Sequence, residues 1–504
     1  MRKINEMSKA QMKQKLLPEG LFLVIIAIAL VINVILFIVT EAFGLYLYSP
    51  DRDDLSLSGN TDALFEDAIQ KAESEGRKVK ISFCQSEDDV KNHSTGGYVY
   101  ETVNGFAQRY PDFIELDYIN LLTRRNSKDE LVDLSKYQTD MRGNPQDIFK
   151  SSVIFEYGAN YRVLTDIYTS TGYADFYTLD ANMNATSYNG EEVVAAMVCW
   201  VLSNDHKTAY FTQYHGEIVD VAFSNLLACA GYYIDVIDLK KDWVPDDAGL
   251  VVISNPTADF EKAYAVSKVK GELDRLEYYL ENGGNLFVSL DPYVKELPTF
   301  EAFLREYGIG FSYSDDKDGR KIRNLVRDIR EGIELDGFTL ITQYANNELA
   351  NFVKDRNESF STGDVIIREA SQLELSKDAK PLLVTSSSSS VEAGGVQIGA
   401  DGNYCVGAYN NTNGNVFVVS SIYLAVSDSL VTNGYSNKEM CFALLEGLFG
   451  AENLPYGCNA VGYNAGILEN LTIGTAINYT VFFMSIPVAI ALVGLFVIVR
   501  RKNR

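Results

Sequence analysis

Histidine is scarce in this chain. There are three, His93, His206 and His215, in 504 residues. No two of them stand at the His-x-x-x-His or His-Glu-x-x-His spacing that sets two imidazoles on one helix face around zinc. The six cysteines, Cys84, Cys199, Cys229, Cys405, Cys441 and Cys458, include no Cys-x-x-Cys pair, which removes the usual redox and zinc-ribbon readings. Cys84, Cys199, Cys229 and Cys441 sit among apolar neighbours and read as small core residues rather than as a disulfide framework. No Gly-x-x-x-x-Gly-Lys-[Ser/Thr] segment occurs, so no loop is present to cradle ATP phosphates. No Gly-x-Cys-x-Gly or Gly-x-Ser-x-Gly elbow marks an acyl-transfer nucleophile. Nothing in the chain implies a cofactor. Cations are also few, 44 Lys and Arg against 68 Asp and Glu, for a net charge of −24. Such a surface repels phosphate backbones and excludes nucleic acid as a natural partner.

What is abundant is apolar. Hydrophobic residues make up 47% of the chain and charged ones 22%, enough to bury the cores of two or three domains. Two runs stand out, Leu21 to Thr40 and Tyr479 to Val499, neither containing a charge. About twenty residues at 1.5 Å rise cross a bilayer core, so both are expected to be transmembrane helices. The first is too long for a signal-peptide core, and Glu41-Ala42-Phe43-Gly44 is a poor cleavage site, so it reads as an uncleaved anchor. Arg2, Lys3, Lys9, Lys13 and Lys15 precede the first run, and Arg500, Arg501, Lys502 and Arg504 follow the second. Cations flanking a span stay inside, so both tails, 1–20 and 500–504, are expected in the cytoplasm and everything between the spans outside it. Removing the +3 of the first tail and the +4 of the second from the net −24 leaves −31 for that middle part, a strongly acidic ectodomain.

The middle alternates strands with helices. Ala209 to Thr212 is a short apolar run, followed by the polar turn Gln213-Tyr214-His215-Gly216-Glu217. Ile218, Val221, Ala222, Leu226 and Ala230 then recur at helical spacing up to Gly231. Tyr232 to Leu239 is strand-like. Leu250 to Ser254 is a continuous apolar run of the kind found in buried parallel strands. A helix with Val269, Leu273, Leu276 and Leu280 on one face ends at Gly283-Gly284, and Asn285 to Pro292 closes the unit. The expected class is α/β, with extracytoplasmic parallel-sheet domains between two single transmembrane helices. Ligands of such sheets sit at the carboxyl ends of the strands, where the Gln213–Glu217 turn and Ser254-Asn255-Pro256 would lie. Tyr214, His215 and Glu217 are the candidate contacts to a ligand or partner. The competing reading is a plain turn whose Glu217 favours the positive N-terminus of the next helix.

The order His215-Gly216-Glu217, Asn255-Pro256, Gly283-Gly284 and Asp291-Pro292 resembles the auxiliary component of ABC-type transporters first associated with bacterial gliding motility. Tyr214 departs from that pattern, which has glycine there. The resemblance implies a class I glutamine-amidotransferase-like fold over 205–475 and a thioredoxin-like arrangement in a smaller α/β ectodomain over 41–204. The membrane helices are placed at 21–40 and 479–499. It implies a non-catalytic subunit, an ABC permease subunit and a cytoplasmic ABC ATPase as partners, and contact with the lipid bilayer through the two helices. Two spans are too few to form a substrate path alone, so the partners would supply both path and energy. A surface binding or adhesion protein without a transporter, and a hydrolase using Ser254 or His215, remain as alternatives.

Elsewhere, Thr61 to Glu75 reads as a helix capped by Thr61 or Asp62, and Glu87, Asp88 and Asp89 as a loop. Val153 to Tyr157 and Arg162 to Leu164 suggest a hairpin. Glu191 to Leu202 reads as an apolar helix, and Phe338 to Asn351 fits strand and helix equally. Asp315-Asp316-Lys317-Asp318-Gly319 invites a calcium-loop reading, but Leu325 stands where the twelfth-position carboxylate belongs, which leaves a solvated acidic turn. Ser386 to Ser390 is expected to be a flexible low-complexity loop.

Overall fold

The apolar runs of the middle part pair side by side. Five strands run parallel in the spatial order Tyr233–Ile237, Thr208–Thr212, Ala248–Ser254, Asn285–Ser289 and Asn415–Val419. Cys405–Asn410, Lys380–Val384 and Gln343–Tyr344 extend the sheet antiparallel beyond Asn415–Val419. The fold is thus mixed α/β around a large sheet with a parallel centre. The computed structural model describes Leu55 and residues 57–462, with interruptions at 169–173, 180–184, 264–269, 335, 433 and 459. The expected spans at 21–40 and 479–499, both tails, and Val269 lie outside the described residues. Among the described residues no helix is long and apolar enough to cross a membrane.

Both faces of the parallel strands are covered, which is why their sequences are runs rather than alternations. Val251, Ile253, Leu286, Val288, Val416 and Val418 pack with Leu273, Leu276 and Leu280 of the helix Glu272–Glu281 and with Phe300, Phe303 and Leu304 of the helix Pro298–Glu306. Leu250, Val252, Phe287, Phe417 and Val419 face the other way, toward the helices Val221–Cys229, Gly190–Leu202 and Asn437–Phe449.

A second sheet has the order Ile114–Tyr118, Val79–Phe83, Val153–Tyr157, Asn160–Leu164, the first two strands parallel and the last two antiparallel to their neighbours. The expected hairpin is present, turning at Gly158, whose φ is +62°. The helix Gly190–Leu202 is buried at every position. It packs on Val153–Tyr157 and Asn160–Leu164 of the small sheet and also touches the helix Val221–Cys229 of the large one. A helix covered on all sides has no polar face to display, which explains its composition.

Several local readings need correction. Gly59, not Thr61 or Asp62, caps the helix Asn60–Glu75; the Thr61 hydroxyl instead donates to Glu191 Oε1 at 2.8 Å. Glu87 to Asp89 open a short helix, Glu87–Lys91, capped by Ser86. The ambiguous stretch after Phe338 divides into Thr339–Ile341, Gln343–Tyr344 and the helix Glu348–Phe360. The serine run is not a loose loop. Ser386 and Ser389 are buried, and the hydroxyls of Ser386, Ser388 and Ser389 all donate to the Asp328 carboxylate. Burial pushes the Asp328 pKa up, but these donors and the backbone N–H groups of Arg330 and Glu331 outweigh it and hold it at about 2. The acidic turn behaves as expected: Asp316 Oδ1 accepts from the N–H groups of Asp318 and Arg320, both at 2.8 Å. Among the described residues no group of three or more His, Cys, Asp or Glu side chains is placed to hold a metal.

Candidate functional site

In chain order the second parallel strand lies outside the first and the third lies on its other side. The connections therefore diverge at Thr208–Thr212, which is where such sheets open a crevice. The turn after this strand passes through two left-handed residues, Tyr214 and Gly216, each with φ +82°. Gly216 is required twice over, because a Cβ there would lie 2.1 Å from Thr257 Oγ1. Tyr214 takes a conformation that costs a side-chain-bearing residue about 1–2 kcal/mol. Tyr214 thus adopts a backbone conformation that glycine takes more readily. Tyr214 is 64% exposed, with Lys241 Nζ 5.3 Å above its ring.

His215 points the other way and is buried. Its carbonyl accepts from the N–H groups of Thr257 at 2.7 Å and Ala258 at 2.9 Å. Its own N–H donates to Glu217 Oε2 at 2.6 Å. The ring stacks on Phe260, centroids 3.9 Å apart. Nδ1 lies 3.2 Å from Glu217 Oε1. Nε2 lies 3.0 Å from Glu272 Oε1 and 3.2 Å from Oε2. Glu272 opens the helix Glu272–Glu281, and its Oε2 also accepts from the Glu261 N–H at 2.8 Å.

A carboxylate at each ring nitrogen demands a proton on each. Burial by itself lowers the imidazole pKa, but the hydrogen bonds to Glu217 and Glu272, with their charges, outweigh it and raise His215 to about 9. The same balance runs in reverse at Glu217, where burial raises the carboxyl pKa and the His215 ring and backbone donors pull it below its ordinary value. At neutral pH His215 is an imidazolium clamped between two glutamates.

Of the three candidate contacts, only Tyr214 stands at the surface; His215 and Glu217 are enclosed. Glu217 does not serve a helix N-terminus. The next helix begins at Val221 and is capped by Asp220, whose Oδ1 accepts from Ala222 N at 2.9 Å and Phe223 N at 3.1 Å. Ile218 and Val219 precede that helix and, with Val221, are exposed. Glu272 is the partner that sequence reasoning missed.

Asn255-Pro256 and Asp291-Pro292 lie at the same strand ends. The Asn255 N–H donates to the Ser289 carbonyl at 2.8 Å, and Asn255 Oδ1 accepts from Asp291 N at 3.2 Å. Asn255 is itself left-handed, with φ +54°. Arg323 holds the loop beyond, its Nη1 donating to the carbonyls of Asp291 and Val294. Ser254 Oγ is 3.0 Å from Ser289 Oγ, so its hydroxyl is paired with another hydroxyl and not with the imidazole. A protonated His215 has no lone pair with which to activate a nucleophile. Gly283-Gly284 sit at the opposite end, where the helix Glu272–Glu281 turns into Asn285–Ser289. Three cavities, of about 430, 280 and 410 Å³, are lined by other residues than Tyr214, His215 and Glu217.

No family model matches the chain, and no curated protein matches it. Among solved structures it is similar to the mmIFT52 N-terminal domain, with 18% identity over 48% of this chain and 96% of that one, at a TM-score of 0.34. It is also similar to a ThuA-like protein from Bacteroides uniformis, with 13% identity over 48% of this chain and 90% of that one, at a TM-score of 0.29. PurLQS from Thermotoga maritima shows 13% identity over 48% of this chain and 98% of that one, also at 0.29.

Proposed function

We propose that this chain is a non-catalytic, membrane-anchored extracytoplasmic subunit of an ABC-type transport system, working beside an ABC permease and a cytoplasmic ATPase. The observation that carries the reading is the filled crevice. At the strand ends where a sheet of this kind would take a ligand, His215 is locked between Glu217 and Glu272 and covered by Phe260. What is left outside is a rim of Tyr214, Ile218, Val219 and Val221. A rim with exposed aromatic and aliphatic side chains suits protein contact better than turnover.

Three further points support the same reading. The two charge-free runs with cationic flanks favour anchorage at both ends. Of the motif residues that resemble the transporter auxiliary components, His215, Glu217, Asn255 and Asp291 lie at one end of the sheet in a bonded cluster. The order of the small sheet favours its thioredoxin-like reading, without a cysteine pair to carry redox chemistry. The hydrolase alternative is weakened by the Ser254–Ser289 pairing and by the protonated His215.

The test is recovery of the tagged full-length chain from detergent-solubilised native membranes. The expected result is co-purification of an ABC permease and an ATPase, reduced by Val219→Asp on the rim. Recovery of neither would favour a surface-binding protein and overturn the proposal.

A further inference from the structure

We propose that the cavity between the edges of the two sheets is a binding site for a small molecule carrying a single carboxylate, with Arg162 as its anchor. Its walls are the edge strand Asn160–Leu164 of the small sheet, the edge strand Tyr233–Ile237 of the large one, and the segment from Asp140 to Gln146. The volume of about 410 Å³ falls in the range of small-molecule sites.

Arg162 is 9% exposed. Its guanidinium lies over Trp200 at 4.9 Å and Tyr233 at 5.1 Å. Nη1 has no hydrogen-bond acceptor, and among the described residues no carboxylate pairs with this arginine. Burial depresses its pKa to about 10, the mark of a cation without its counter-ion. The contrast with Arg323 is direct: that arginine is equally enclosed but is paired with Glu301 at 2.8 Å and bonded to two carbonyls. Beside it the Trp200 Nε1 donor also lacks an acceptor. The one other cation on the cavity wall, Arg142, is taken by Asp140 and Asp235, each at 3.2 Å.

The ligand class follows from fit and charge. A guanidinium fork matches a planar carboxylate. Arg142 and Arg162 balance Asp140 and Asp235, so a monoanion leaves one net negative charge in the cavity and a phosphate dianion leaves two. Carboxylate is therefore favoured over phosphate. The site is separate from the strand-end turn and does not depend on the proposed transport role.

The chain has two tryptophans, so Trp243→Phe leaves Trp200, which lies against Arg162, as the sole tryptophan, read by excitation that spares tyrosine. The probes are propionate, its neutral isostere propionamide, and inorganic phosphate, titrated into the purified full chain. The expected result is a saturable fluorescence change with propionate, absent with propionamide and at least about tenfold weaker with phosphate. Arg162→Met should weaken propionate by about tenfold or more. Arg142→Ala, at the partly exposed wall, leaves both aspartates uncompensated and should weaken it severalfold, which keeps the test decisive if Arg162→Met does not fold. Equal responses to propionate and propionamide, a preference for phosphate, or unchanged affinity in Arg142→Ala would overturn the assignment.

Discussion

His215 Nε2 lies 3.0 Å from Glu272 Oε1, across 57 residues of sequence. This pair fastens the turn after the first parallel strand to the helix that precedes Asn285–Ser289. Removing one partner of a buried ion pair leaves the other charge stranded and costs about 3–5 kcal/mol. Glu272→Gln is expected to lose about 3 kcal/mol in urea denaturation. A cost under about 1 kcal/mol would mean that the pair is idle.

The same clamp sets a pH dependence. The folded-state pKa of His215, about 9, lies above its ordinary 6.5. Folding therefore favours the protonated form. Its contribution is fully present below about pH 6.5 and is lost as pH rises through about 9, an effect of roughly 3 kcal/mol. His215→Gln should flatten stability across that window; an unchanged slope would contradict the clamp.

Both left-handed positions of the turn should prefer glycine. Gly216→Ala forces a Cβ onto Thr257 at a left-handed residue and is expected to cost about 2 kcal/mol or more. Tyr214→Gly relieves a left-handed side chain and should be neutral or stabilising by about 1 kcal/mol. Differential scanning calorimetry of the two variants distinguishes them by sign.

Asp328 gathers three serine hydroxyls. Asp328→Ala leaves those donors and two backbone N–H groups without an acceptor and is expected to cost about 3 kcal/mol. In the parent protein the depressed carboxyl contributes stability above its ordinary 3.8, lost as pH falls through about 2. Limited proteolysis near Ser386 should be slow in the parent and fast in the variant.

These residues also show where reading the sequence succeeds. Leu250 to Ser254 and Asn285 to Ser289 were readable because strands buried on both faces leave unbroken apolar runs. Leu273, Leu276 and Leu280 were readable because one helix face meets the core. The His215 clamp was only half readable. Glu217 is two residues away and visible, whereas Glu272 has the ordinary look of an acid in a helix first turn. Only the third dimension brings it to the imidazole. Ser386 to Ser390 misled for a similar reason: serine in a row signals looseness unless a buried acceptor lies opposite, and Asp328 is 58 residues earlier. The antiparallel edge, with a two-residue strand at Gln343–Tyr344, is too short to leave a period.

We propose that the acidic body lies outside the cytoplasm. All six native thiols are unpaired and five are buried, and burial raises those of Cys84, Cys199 and Cys441 to about 12, so they give little labelling background. Asp318, with its side chain 71% exposed in the acidic turn, is the place for a reporter. Asp318→Cys should react with a membrane-impermeant maleimide in intact cells whose outer layers have been opened. Labelling only after lysis would put that surface in the cytosol and contradict the account.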